Sequence, residues 1–81
     1  MINQFHAIYE RDGDWFVAFC PEIPEANGMG KTKTKCLENL IDAIRLILQD
    51  RHEDSIRAIR KSLIYLPKKS YEILQQINNR G

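Results

Sequence analysis

The sequence lacks both patterns that would place a protein in a membrane or target it for export. No apolar run approaches the ~20 residues needed to span a bilayer. The opening residues Met1–Gln4 carry neither the basic region nor the apolar region of a signal peptide. These two absences predict a cytoplasmic protein.

Metal-ligand and nucleophile patterns are also missing. The cysteines, Cys20 and Cys36, form no Cys-x-x-Cys pair, and the histidines, His6 and His52, do not complete a zinc-ligand spacing. Both cysteines lie in apolar patterns, which indicates buried free thiols. Neither histidine belongs to a base–nucleophile motif, so covalent catalysis has no support. We therefore expect no metal, no cofactor and no enzymatic activity.

Glu10, Asp12 and Asp14 come nearest to an acidic cluster. A two-metal nuclease gathers carboxylates from separate elements onto one point. These three residues flank a single predicted turn, where acidic side chains are common. A residual nuclease stays an alternative, and it requires metal-dependent cleavage that Asp14→Ala abolishes.

Charge is small overall but unevenly distributed. The 81 residues hold 12 Lys or Arg and 11 Asp or Glu, a formal net charge of +1, which makes no general case for nucleic acid. Residues 1–50 carry five basic and eight acidic side chains (net −3), and residues 51–81 carry seven and three (net +4). We interpret the basic third as a solvated tail, with a partner surface or a weak anion-binding surface as the alternative.

Chain length allows one small domain with a single core. Hydrophobic residues make up 43% of the sequence, as in a globular protein. A core of this size gives only marginal stability, so we expect help from oligomerisation or a partner.

The first quarter of the chain predicts a β-hairpin. Residues 2–10 and 15–20 are rich in strand formers and flank a turn at 11–14, where Gly13 can adopt positive φ. The run at 15–20 is apolar on both faces, which predicts an inner strand covered on each side.

A proline- and glycine-containing connector follows the hairpin. Pro21 and Pro24 lack the N–H donor and should interrupt the ladder. Residues 25–29 can form a short third strand at the edge of the sheet. Gly28 and Gly30 would then let the chain turn into a helix.

The helix is the clearest predicted element. Apolar side chains recur at helical spacing from position 37 to 48, and Thr32 or Thr34 can serve as the N-cap. We expect the helix to end near 50–54. Its apolar stripe should pack on one face of the hairpin sheet.

The last third of the sequence is ambiguous. Residues 56–63 fit a helix, and 63–66 fit a short strand. Pro67 stops either element. Residues 71–77 fit a short amphipathic helix.

The tripeptide Gly30-Lys31-Thr32 invites a nucleotide-binding interpretation. A phosphate-binding loop needs a glycine five positions before its second glycine, and this chain has Glu25 there. That carboxylate would repel a phosphate, and the chain is too short for the parallel sheet of such a nucleotidase. The tripeptide is therefore interpreted as a glycine turn and a helix N-cap.

The order of these motifs resembles the HicB-type antitoxin family. The resemblance lies in the aromatic hairpin, in Pro21-Glu22-Ile23-Pro24, in Gly30 and Thr32, and in the helix at 40–48. It covers roughly residues 2–50. Two positions depart from the family pattern: Glu25 replaces a glycine, and Lys35-Cys36 replaces a Glu-Ala pair, which removes the capping box.

The resemblance implies an α+β fold of partial ribonuclease-H type. The expected architecture is a three- to four-stranded antiparallel sheet with one main helix on one face, in β-β-β-α-β order. Residues 1–66 would form the HicB-like domain, and 67–81 would form a C-terminal extension with a short helix. Fifteen residues after position 66 are too few for a complete helix-turn-helix, so we expect no DNA binding.

The resemblance also implies a function. Members of this family neutralise a small basic HicA-type ribonuclease toxin by binding it and masking its active site, without catalysis of their own. We expect a homo-oligomer, dimer or tetramer, and a contact surface on the connector and the exposed sheet face. The expected partner-binding residues are Trp15, Glu22, Glu25, Asn27 and Met29.

Two further functions stay open. One is an orphan oligomeric regulatory module without a toxin, which a solitary gene would favour. The other is a weak nucleic-acid binder that uses the basic C-terminal third and loses affinity steeply with salt.

Overall fold

The computed structural model describes residues 4–49 and 53–78, along which seven elements lie. Their bounds are β1 Phe5–Asp12, β2 Trp15–Cys20, β3 Ile23–Gly30, α1 Lys33–Ile47, α2 Glu53–Ser62, β4 Leu63–Pro67 and α3 Lys68–Asn78. The strands form one sheet in the order β3-β2-β1-β4. The predicted α+β class is confirmed, as are the strand after position 62 and the helix over 71–77. The first residues of the predicted strand 2–10 lie outside the described residues.

The hairpin forms as predicted. β1 and β2 pair antiparallel, with Tyr9 opposite Ala18 and Asp12 opposite Trp15. Gly13 occupies the turn with φ 62°, a conformation that costs glycine little. β2 has a neighbour on each side, which confirms it as an inner strand. The predicted cover of both its faces is wrong in part, because Trp15 at its start is 40% exposed.

The fourth strand corrects the prediction of a wholly antiparallel sheet. β4 pairs parallel to β1, with Ala7 opposite Tyr65 and Ile8 opposite Leu66. A parallel neighbour requires a long crossover, and α1 with α2 supplies it between β3 and β4. The second helix of this crossover was absent from the predicted order. Residues 53–78 of the basic third are therefore folded into α2, β4 and α3 rather than forming a tail.

β3 begins before Pro24 and is longer than predicted. The ladder is irregular beside this proline, since Phe19 pairs with Asn27 whereas the next residue, Cys20, pairs with Ile23. Pro24 is tolerated because β3 is an edge strand. The predicted interruption of the ladder is confirmed, although it lies inside the strand.

Gly28 and Gly30 lie within β3 and do not form the turn that was predicted for them. A Cβ on Gly28 would lie 2.5 Å from the Cys36 carbonyl oxygen, and one on Gly30 would lie 2.6 Å from the Cys36 nitrogen. Both glycines therefore allow β3 and α1 to approach backbone to backbone. This close approach, rather than chain reversal, explains the two residues.

α1 begins at the predicted cap and ends early. The Thr32 hydroxyl accepts a hydrogen bond from the Lys35 backbone N–H at 3.0 Å, so Thr32 rather than Thr34 is the N-cap. The helix ends at Ile47, and Gln49 follows with φ 55°. The predicted end near 50–54 is wrong, because the left-handed residue at 49 terminates the helix first.

The core lies between α1 and the sheet face that α1 covers, which we term the first face. Its fully buried side chains include Cys36, Leu40, Ile41 and Ile44 of α1. α2 adds Ile59 to the same core. Over the ranges 4–49 and 53–78, no helix combines the length and apolarity that crossing a membrane requires.

Candidate partner-binding surface

The opposite side of the sheet, the second face, is only partly covered. The ladder places Ile8 opposite Phe19, and Val17 opposite Met29, on this face. α3 packs over β1 and β4. Its Tyr71 ring meets Phe19 edge to face, with the centroids 6.0 Å apart. Ile8 is consequently 1% exposed although it lies outside the first-face core.

Beyond α3, the part of the second face on β2 and β3 stays open. We term this surface, formed by Trp15, Val17, Asn27 and Met29, the open half. Trp15 is 40% exposed and Met29 is 51% exposed. A shallow groove of about 110 Å³, lined in part by Val17, Asn27 and Lys68, separates the open half from α3. The open half is therefore a largely apolar surface on two paired strands, with a polar border.

Trp15 stands at the end of the sheet where β2 begins. It lies opposite Asp12 in the ladder. The Lys31 ammonium lies over its ring, 4.9 Å from the centroid. This cation–π contact orients the indole and leaves it half exposed. Trp15 has the features of an interface anchor, a large aromatic ring held in place before binding.

The predicted residues of β3 lie side by side on its exposed edge. Glu25, Asn27 and Met29 are all exposed, and the Asn27 amide donates to the Glu25 carbonyl oxygen at 3.3 Å. The Asn39 amide of α1 donates to the Met29 carbonyl oxygen at 2.6 Å. The structure thus groups Trp15, Asn27 and Met29 on one surface, with Glu25 at its border.

Glu22 lies at the opposite end of the sheet from Trp15, in the turn between β2 and β3. Its carboxylate accepts from the His6 backbone N–H at 2.6 Å and lies 2.8 Å from the His6 Nδ1. The Cys20 thiol donates to the same carboxylate at 3.5 Å. Glu22 therefore ties the start of β1 to the β2–β3 turn, and it does not adjoin the open half.

The hydrogen bonds to Glu22 outweigh its partial burial. Burial by itself raises the pKa of this carboxyl, whereas the backbone N–H and imidazole of His6 lower it. The net pKa of Glu22 lies below its ordinary value, so the group is ionised at neutral pH. An ionised Glu22 keeps the β1–turn connection intact.

A second groove lies beside the contact between His6 and Glu22. It has a volume of about 330 Å³ and runs between α3 and the turn. Its walls include His6, Glu22, Tyr71 and Leu74. The groove follows from the incomplete contact between α3 and the sheet.

The cysteines and acidic residues form no reactive centre in the described part of the chain. Cys20 and Cys36 are buried free thiols, and burial raises the pKa of each, which makes both poor nucleophiles at neutral pH. No group of three or more His, Cys, Asp or Glu among the described residues could hold a metal ion. Glu10 instead pairs with Lys68 at 3.2 Å.

Sequence reasoning missed the residues that position this surface. Lys68 and Tyr71 fix α3 on the sheet, and His6 holds Glu22. The signal available was the alternation in β1, which places His6 and Ile8 on the face opposite α1. That pattern alone does not say which element covers them.

The chain is similar in sequence to a known small protein. The UPF0150 protein ssl0738 of Synechocystis sp. is 46% identical over 55 residues, which cover 68% of this chain and 74% of that protein. No protein-family model matches the chain. No solved structure matches it either. The identity and the coverage of both chains show that the protein belongs to the UPF0150 family.

Proposed function

We propose that the protein is a HicB-type antitoxin, a non-enzymatic protein that binds a small HicA-type ribonuclease toxin and masks its active site. The sequence resemblance supports this role, and the open half is the observation that carries it. α3 packs over β1 and β4 and reaches β2 at Phe19, whereas Trp15 and Met29 stay exposed. A partner seated over β2 and β3 would complete the missing layer.

The chemistry of the open half suits a protein partner. Tryptophan and methionine are enriched in the cores of protein interfaces, and Trp15 and Met29 are the large exposed apolar side chains here. Both stand on a sheet, so their backbone needs no ordering on binding, and the Lys31 contact already orients the Trp15 ring. They are the expected anchors, with Asn27 and Glu25 at the rim.

Charge favours a basic partner on this side of the molecule. The exposed Asp12, Asp14 and Glu25 lie near the open half, against Lys31 over the Trp15 ring and Lys68 at the groove, so acidic side chains are in slight excess. A ribonuclease site must be cationic to accept phosphates. An aromatic surface with an acidic border can occupy such a site and exclude RNA, and this masking requires no proton transfer by the antitoxin.

An antitoxin of this type is expected to have the gene of its small basic toxin beside its own. The test measures binding of the protein to that toxin, and rescue of growth when the two are co-expressed. Met29→Lys and Trp15→Ala should each weaken binding at least about tenfold, because they remove an anchor or add a like charge. Leu46→Lys is the matched control, since Leu46 is 69% exposed at the end of α1 and away from the open half.

Two outcomes would count against the proposal. Failure of the wild-type protein to bind the toxin or to protect cells would reject the antitoxin role. Wild-type binding by both Met29→Lys and Trp15→Ala would reject the open half as the contact surface.

Nucleic-acid binding through the basic third is the alternative, and one observation favours it. Arg57, Arg60 and Lys61 are exposed along α2. However, Arg60 lies 3.8 Å from Glu38, and Lys68 pairs with Glu10, which reduces the free positive charge. A steep loss of RNA or DNA binding with rising salt would support this alternative.

A further inference from the structure

We propose that two copies of this chain join through the outer edges of their β4 strands, paired antiparallel about a two-fold axis, to form one continuous eight-stranded sheet. This interface lies at the opposite edge of the sheet from β3. It therefore leaves the open half accessible and stands independently of the antitoxin role.

The two edges of the sheet differ in how they are protected. β3 carries Pro24 and a register irregularity, and the Asn39 amide occupies the Met29 carbonyl oxygen. β4 reads Leu-Ile-Tyr-Leu-Pro, without a charge and with its proline only at the last position. Proteins block free strand edges with prolines, charges and irregularities. β4 is short and has lysines at 61, 68 and 69 on either side, but Leu63–Leu66 carry neither a charge nor a proline, so this central part of the edge can accept another strand.

Both sides of the sheet are incomplete at β4. Ile64 lies opposite His6, on the second face, and is 38% exposed. Tyr65 lies opposite Ala7, on the first face, and is 42% exposed. A helix or loop docked on one face would cover one of these side chains and leave the other in water. An added strand covers both, because its side chains extend both faces.

Charge and symmetry identify the added strand as that of a second copy. A two-fold axis places the same residues against one another, and the five residues of β4 carry no charge that would repel its own copy. Lys61, Lys68 and Lys69 flank the strand on either side, and Lys68 is paired with Glu10. A basic toxin or a nucleic acid would instead require an oppositely charged edge. The axis also keeps both α3 helices on the same face of the joined sheet. On this side, Ile73 and Ile77 of each α3 are 51% and 59% exposed.

The test measures the mass of the full-length protein by light scattering after size exclusion, over a range of concentrations. The wild type should have twice the mass of one chain. Ile64→Lys with Tyr65→Lys should raise the dimer dissociation constant at least about tenfold, because like charges then face each other across the axis. Met29→Lys, an equal change at the other edge, should leave the dimer intact.

Hydrogen exchange provides a second measurement that does not depend on a variant folding. The backbone amides of residues 63–66 should gain protection as protein concentration rises, whereas those of β3 should not. A monomer at every concentration, or a dimer that the double lysine variant leaves unchanged while it keeps its circular dichroism spectrum, would overturn the proposal. Toxin binding by the Ile64→Lys, Tyr65→Lys variant would show that the antitoxin role does not depend on the dimer. The two proposals can therefore be tested separately.

Discussion

At the residue scale, the fold depends on small groups at positions of close approach. Gly28 and Gly30 face α1 because any side chain there would overlap the helix backbone. Local sequence reasoning assigned them to a turn, since glycine is common in turns. Their packing role depends on the distance between β3 and α1, which no local pattern contains.

Replacing Gly28 should therefore destabilise the protein. In Gly28→Ala the new Cβ would lie 2.6 Å from the Leu40 nitrogen and 2.5 Å from the Cys36 oxygen, both backbone atoms that cannot rotate away. We expect a loss of about 1–3 kcal/mol in the free energy of unfolding, measured by urea denaturation. Gly13→Asn is the control, because Gly13 has open space around it and asparagine tolerates positive φ. Equal stability of Gly28→Ala and the wild type would contradict the close approach.

The Glu22 carboxylate predicts a pH dependence. Its pKa is lowered in the folded state from an ordinary value of 4.5. Its contribution to stability is thus present above about pH 4.5 and is lost as the pH falls from there through the folded pKa. Thermal unfolding followed from pH 7 to pH 3 should show a smaller acid-induced decrease for Glu22→Gln than for the wild type. Identical slopes would mean that His6 does not stabilise the ionised carboxylate.

At the element scale, the sequence predicted what repeats locally and missed what depends on distant packing. Alternation identified the hairpin and helical spacing identified α1, whereas the strand at 63–66 was one of two possibilities in an ambiguous segment and was favoured only by the family resemblance. The parallel direction of β4 could not be predicted, because it depends on a crossover that includes the charge-rich α2. Likewise, Trp15, Asn27 and Met29 could be grouped from alternation, whereas the bond between His6 and Glu22 joins residues sixteen positions apart.

The two threonines before α1 give a test of its cap. Thr32→Ala removes the acceptor for the Lys35 N–H and should cost about 1 kcal/mol. For a domain of this size, that loss lowers the melting temperature by roughly 4–8 °C. Thr34→Ala, the matched variant inside the first helical turn, should change it little or raise it slightly. If calorimetry shows a larger decrease in melting temperature for Thr34→Ala than for Thr32→Ala, the N-cap is Thr34.

At the scale of the whole molecule, the acidic and basic parts of the chain are folded against each other. Lys68 meets Glu10 at 3.2 Å, and Arg60 meets Glu38 at 3.8 Å. Exposed pairs of this kind contribute at most about 1 kcal/mol each, so they orient α2 and α3 more than they stabilise them. The apolar side chains that stay exposed lie mainly on the open half, at the end of α1, and along β4 and α3. The open half and the β4 edge are the two surfaces assigned here to a partner and to a second copy.

The irregularity beside Pro24 has a consequence for assembly. When two copies pair through β4, the only free edges of the joined sheet are the two copies of β3. Each of these carries a proline and a broken register, and a further strand cannot align with it over its full length. Growth by strand addition therefore terminates after two chains. Pro24 and the register shift beside it would thus prevent fibre formation.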